Sequence, residues 1–212
     1  FYAPTNATLI IAGDVSAAGI RPMVEKAYGH IPPQPSIPAQ RIRPQEPTPA
    51  GPRTVTLSDP RVEQPSMRRY YLVPSSVTAA QTEGSALEVL AQLMGAGSNS
   101  YLYQALVVNK PLAVSAGAWY QGTAVDPSQF GIAASPKPGV AFADVEKAID
   151  EVIAKLATDP VPAEDLERIK TQMIAESVYA QDSQTTLARW YGAAITVGMS
   201  VDDVRAWPDR IR

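Results

Sequence analysis

Apolar and polar positions follow two periods along this chain, and each switch between them marks an element. Residues 7–13 (ATLIIAG) form a short, continuous apolar run, which predicts a buried strand. Gly13-Asp14 turns the chain. Asp14 or Ser16 then caps a predicted helix over 17–28, with Ile20, Val24 and Ala27 on one face and Gly29 as its stop. Residues 31–52 (IPPQPSIPAQRIRPQEPTPAGP) are proline-rich, and proline fixes φ and lacks a donor N–H. This stretch predicts an extended linker, spanning about 68 Å at about 3.1 Å per residue.

Beyond the linker, residues 53–59 (RTVTLSD) alternate like a strand, and residues 66–74 (SMRRYYLVP) predict a second strand ended by Pro74. Arg68, Arg69, Tyr70 and Tyr71 lie in this second strand, so one pair faces the core and the other solvent. Leu87, Leu90, Ala91 and Met94 form the stripe of a helix over 81–94. A Gly/Ser turn and a short helix over 101–108 follow. Residues 112–121 and 129–135 predict an antiparallel pair around a turn at Asp126-Pro127. Helices over 141–157, 162–180 and 184–196, and a capped segment from Ser200, complete the pattern. Strands in runs followed by helices in runs predict an α+β fold, a mostly antiparallel sheet with helices packed on one face. The organisation expected is a terminal β-α unit (1–30), the linker (31–52) and an α+β domain (53–212), which can form one domain with 1–30.

Composition narrows the chemistry. The 212 residues, 45% hydrophobic and 18% charged, suit a folded domain with a real core. A net charge of -3 gives none of the basic field that a nucleic-acid binder needs. No apolar run is long enough to span a membrane. Cysteine is absent, which removes disulfides, thiolate nucleophiles and Cys-based zinc sites. The lone histidine, His30, has no second imidazole to share a metal with, and it reads as a helix-end or surface residue. A Ser-His-Asp triad would have to use this same residue, with no nucleophile elbow nearby. Asp202-Asp203, Glu164-Asp165 and Asp150-Glu151 are paired carboxylates, but they fall in helix first turns or on a solvated face, where acids serve the helix dipole. GAGSNS (95–100) lacks the lysine of a phosphate loop and follows no strand, so it reads as a helix–helix connection. Tyr101, Tyr103, Trp119 and Tyr120 read first as packing residues.

Several segments resemble the pitrilysin/insulinase-type zinc peptidases, whose metal motif is the inverted H-x-x-E-H. FYAPTNATLIIAGDV (1–15) and VEKAYGHIP (24–32) resemble the family's "Y-x-P-x-N-x-x-L-x-x-x-G-D-V" strand and its "K-Y-F-G-x-I-P" helix end, which also precede a Pro-rich linker. GSNSYLYQALVVNKPLAVSAGA (97–118) resembles the second-half signature "G-x-x-S-R-L-Y-x-x-L-R…L-x-Y", and PVPAEDLERIKTQM (160–173) resembles the "T-x-x-E-L-x-R-A-K" helix. The family builds its chain from two homologous α+β halves, with zinc in the first. The resemblance therefore implies the end of a first half plus most of a second, metal-free half. Any Zn2+ would lie in the missing N-terminal half, and no cofactor-binding or metal residue carries over to this chain.

Active members supply an Arg and a Tyr from the second half to hold substrate and the developing oxyanion. Aligned on Leu106 and Leu112, those positions are Val107 and Val114, neither of which donates a hydrogen bond from its side chain, and the S-R-L-Y arginine is Tyr101. The resemblance thus implies the non-catalytic C-terminal half of a zinc-metallopeptidase-like protein, one wall of a chamber enclosing an unfolded peptide. Its partner is its own N-terminal half or a homologous peptidase subunit. The alternatives are an inactive scaffold or peptide-binding subunit paired with an active one, and an unrelated α+β small-molecule enzyme. Exported bacterial members imply a periplasmic or otherwise exported location. The repeat relationship also suggests that the strand over 7–13 fills an edge of the second-half sheet, within the chain or by exchange between two chains; a structure with 7–13 unpaired contradicts this.

Overall fold

The computed structural model describes residues 3–34, 43–44 and 47–212. The chain divides into two compact units, Phe1–Glu63 and Gln64–Arg212.

In the first unit, helix α1 (Ala17–Tyr28) begins where the sequence predicts. Ser16, rather than Asp14, is its cap: its Oγ accepts from the Gly19 N–H at 3.1 Å, satisfying one of the orphan amides of the first turn. Two expectations fail here. Residues 7–13 and 53–59 carry no strand ladder. Leu9 and Ile11 are exposed, and Val55 and Leu57 are 93% and 87% exposed. An apolar or alternating run is only the capacity to form a strand; the hydrogen bonds come from a neighbour, and neither segment has one in this unit. The proposed filling of a sheet edge by 7–13 is therefore not realised within the chain. Residues 35–42 and 45–46 of the expected linker lie outside the described residues, and its described part forms no helix or strand.

The second unit has the predicted layering. Strands β1 (Met67–Val73), β2 (Ala113–Tyr120) and β3 (Ser128–Pro136) make an antiparallel sheet in the order β1-β3-β2. The predicted hairpin is real, with Tyr120 opposite Phe130 and Ala116 opposite Ala134. Residues two apart on a strand share a face. Phe130, Ile132 and Ala134 of β3, with Ala116, Ala118 and Tyr120 of β2, therefore point to one side. Helices α2 (Glu83–Gly95) and α4 (Phe142–Thr158) cover that side with Ala91, Met94, Val145 and Ile149. Each large side chain fully buried there contributes about 1.5–3 kcal/mol.

A second, smaller cluster joins Val89 and Leu93 of α2 to Ile169 and Met173 of α5 (Ala163–Ala180) and to Ile211 of α8 (Trp207–Ile211). Helix α6 (Gln184–Thr196) matches its predicted bounds and is capped by Ser183. Helix α7 (Val201–Arg205) starts at a capping box in which Ser200 and Asp203 exchange hydrogen bonds. The predicted helix over 101–108 is instead one turn, α3 (Tyr101–Tyr103), that widens into a π-helix over Gln104–Asn109. Lys110 N–H donates to the Ala105 carbonyl five residues back at 3.0 Å, which is the wider ring.

Candidate functional site

Val107 and Val114, the positions that the resemblance aligns with an Arg/Tyr pair, sit in structurally distinct places. Val107 lies in the π-helix and packs partly against the main core. Val114 lies at the register irregularity between Ala113 and Ser115 of β2 and is 47% exposed. A bulge re-aims a side chain. Here it aims two methyl groups at the surface, where no proton or oxyanion can be held.

Among the described residues, no buried hydrophobic cluster packs on the face of the sheet away from α2 and α4. Arg68, Tyr70 and Leu72 of β1 line it beside Gly131 and Ala133 of β3 and Gly117 and Trp119 of β2. Tyr70 is 48% exposed. Its ring meets Trp119 edge-on at 5.8 Å between centroids. The Trp119 indole lies against Gly131: a Cβ there would come within 2.3 Å of the ring. Glycine is required so that the indole can lie on the backbone. The result is a shallow apolar floor of small residues with two aromatic rings standing on it.

A second concavity, of about 1320 Å³, opens between β2, α2, α5 and α6. Tyr120, Trp190, Tyr191 and Trp207 line it together with three acids, Glu88, Glu176 and Asp203. The Trp207 indole N–H donates to Glu88 Oε2 at 2.6 Å. Burial pushes the Glu88 carboxyl above the ordinary glutamate range, against the opposing pull of Trp207 and Arg210. The Tyr120 hydroxyl donates to the Pro74 carbonyl at 2.7 Å and is itself raised by burial. Neither Glu88 nor this aromatic lining stood out in the sequence. Glu88 and Trp207 are 119 positions apart, so no local spacing joins them.

The paired carboxylates are structural. Asp150 pairs with Arg69 and ties α4 to β1. Glu151 accepts from Lys110 at 2.5 Å, and that ammonium holds its carboxyl below the usual range. Asp203 caps α7 and Asp202 pairs with Arg205. Asp165 accepts from Arg168 and from the Tyr101 hydroxyl, both at 2.8 Å. Tyr101 thus links α3 to α5. GAGSNS is the expected connection: Gly97 takes φ +74° and the Ser100 hydroxyl donates to its carbonyl at 2.8 Å.

Burial and the neighbouring Asp165 carboxylate push the Tyr101 phenol up to about 12 from 10.0. A phenol whose folded pKa is raised stabilises the fold below its unfolded pKa. That contribution is lost as pH rises through the folded value. Tyr101→Phe should cost about 1 kcal/mol at neutral pH. In urea unfolding, the gap between parent and variant should close between about 10 and about 12. A gap that stays constant across that range contradicts the Asp165 tie.

His30 is exposed at the end of α1. Among the described residues, no three His, Cys, Asp or Glu side chains come together as a metal site, so this donor set does not fit a zinc ion. Among them, too, no helix is long and apolar enough to cross a membrane.

Comparison with known proteins agrees with this architecture. The family model described as the peptidase M16 inactive domain matches residues 1–173. The zinc protease PqqE of Helicobacter pylori is 26% identical over 190 residues, covering 89% of this chain and 41% of that protein. This chain therefore spans less than half the length of that relative. The crystal structure of a protease from Helicobacter pylori superposes with a TM-score of 0.84 at 21% identity, covering 94% of this chain and 47% of the other. The inactive peptidase domain of a zinc protease from Bordetella parapertussis superposes at 0.62 and 19% identity, covering 70% and 78%. With a model match over most of its length and the α+β layering that its solved neighbours share, this chain belongs to the peptidase M16 inactive-domain family.

Proposed function

We propose that this chain is the non-catalytic half of a zinc-peptidase-like protein and forms one wall of a chamber that holds an unfolded peptide. The observation that carries this reading is the sheet face away from the core, where Tyr70 and Trp119 pack beside Gly117, Gly131 and Ala133. Such a face suits an extended chain of mixed sequence. It offers apolar area to side chains, and small residues let a backbone approach closely. Its partner in enclosing the peptide is the preceding half of the same protein or a homologous peptidase subunit. In this reading any zinc belongs to that preceding half. The expected exported location rests on the resemblance to exported bacterial members.

With zinc added, the protein as given should leave an unfolded fluorogenic peptide uncut at background rate. The same peptide, followed by fluorescence anisotropy, should bind, and Trp119→Ala should weaken it about fivefold to tenfold through lost aromatic area. Metal-dependent turnover that survives His30→Ala would overturn the non-catalytic assignment. Peptide affinity unmoved by Trp119→Ala would overturn the placement of the peptide on this face.

A further inference from the structure

The cleft between α2 and α6 has a charge requirement that the sheet face lacks. We propose that Glu88 receives the cationic end of a lysine or arginine side chain of the bound peptide, held against the aromatic lining of this cleft; this rests on the peptide-holding reading above. Three observations converge on it. First, Glu88 uses only one oxygen. Oε2 accepts from Trp207, Oε1 makes no hydrogen bond, and no fully buried side-chain oxygen among the described residues lacks a partner. Oε1 is therefore open to the cleft.

Second, no cation among the described residues touches Glu88. Trp207 is a neutral donor. Arg210 lies in electrostatic range but makes no hydrogen bond or ion pair with Glu88. The other acids of the cleft, Asp203 and Glu176, also accept from neutral donors, Ser200 and Gln172, but Glu176 is exposed and only Glu88 is held by an indole of the aromatic lining. The remaining guanidinium, Arg205, pairs with Asp202. A half-buried carboxylate without a cation at contact distance gains most from one supplied by a ligand. Third, Tyr120, Trp190 and Tyr191 surround the same volume, and aromatic faces attract organic cations as well as their aliphatic stems. At about 1320 Å³ the cleft has ample room for one long side chain.

The test uses two labelled unfolded peptides that differ at one position, Lys against Gln, and a third probe, n-butylamine. Glu88→Gln keeps the side-chain length and an acceptor for Trp207, and circular dichroism checks that its fold is intact. By anisotropy the Lys peptide should bind about tenfold tighter than the Gln peptide to the parent and equally to Glu88→Gln. Butylamine should shift the Trp207 indole N–H resonance, assigned from its loss in Trp207→Phe, in the parent but not in Glu88→Gln. Equal binding of the two peptides by the parent overturns the assignment, as does an indole resonance that ignores butylamine. If neither peptide binds while butylamine still shifts the resonance, the peptide-holding reading falls and Glu88 stands as an amine site. If neither probe registers, both fall.

Discussion

Replacing Gly95 with alanine should lower the stability of the second unit by about 3 kcal/mol, against the usual helix preference for alanine. Gly95 ends α2 and lies against the outer edge of β2. Gln121 N–H donates to the Gln129 carbonyl, so odd-numbered β2 residues direct their peptide groups to β3. Ala118 then presents its N–H and C=O outward, towards α2. A Cβ on Gly95 would sit 1.9 Å from Ala118 N, 2.5 Å from its O and 2.6 Å from its Cα. Nor does the helix end have slack at the next position, since a Cβ on Gly117 would come within 3.2 Å of the Gly95 carbonyl. All of these neighbours are backbone, which cannot swing aside as a side chain does. Helix propensity would favour alanine by about 1 kcal/mol, and the clash is the larger effect. Thermal unfolding should show a fall of about 6–12 °C. Gly51→Ala, with nothing within 4 Å of its would-be Cβ, is the control and should change little. An unchanged midpoint for Gly95→Ala would mean that α2 does not close on β2.

This close approach also shows where sequence reasoning works and where it stops. The start of α1 was legible because a serine stands there and hydroxyl caps act over three residues. The β2–β3 hairpin was legible for the same local reason: two alternating runs meet at a polar turn. The segments 7–13 and 53–59 carry equally good patterns and pair with nothing, because pairing depends on a neighbour that the pattern does not name. The π-helix left no trace either, since one residue of extra winding does not change which residues are apolar. Within the candidate site, Val107 and Val114 were found only through motif register. Glu88 with Trp207, and Trp119 over Gly131, come from distant stretches that the fold brings together. A glycine in the middle of a strand was the one available hint of the second.

The π-helix bears on the other large effect expected. Leu106→Ala should cost about 3–5 kcal/mol, a large share of the ~5–15 kcal/mol that holds an ordinary domain together. Leu106 is 0% exposed in the main cluster, which it shares with Leu102, Ile132, Val145 and Ile149. Truncation removes buried carbon and leaves a cavity whose walls belong to two helices and a sheet, so collapse is limited. Val114→Ala, at a half-exposed bulge, should stay within about 0.5 kcal/mol. Chemical denaturation of the two variants tests a single physical statement about this stretch. If the winding over Gln104–Asn109 is fixed by the core below it, the loss at Leu106 should exceed that at Val114 several-fold. The two positions that the resemblance aligns with an Arg/Tyr pair would then be carried here on a rigid base. If the two losses are comparable, the π-helix is not anchored through Leu106. The backbone at Val107 and Val114 would then be free to shift independently of the core.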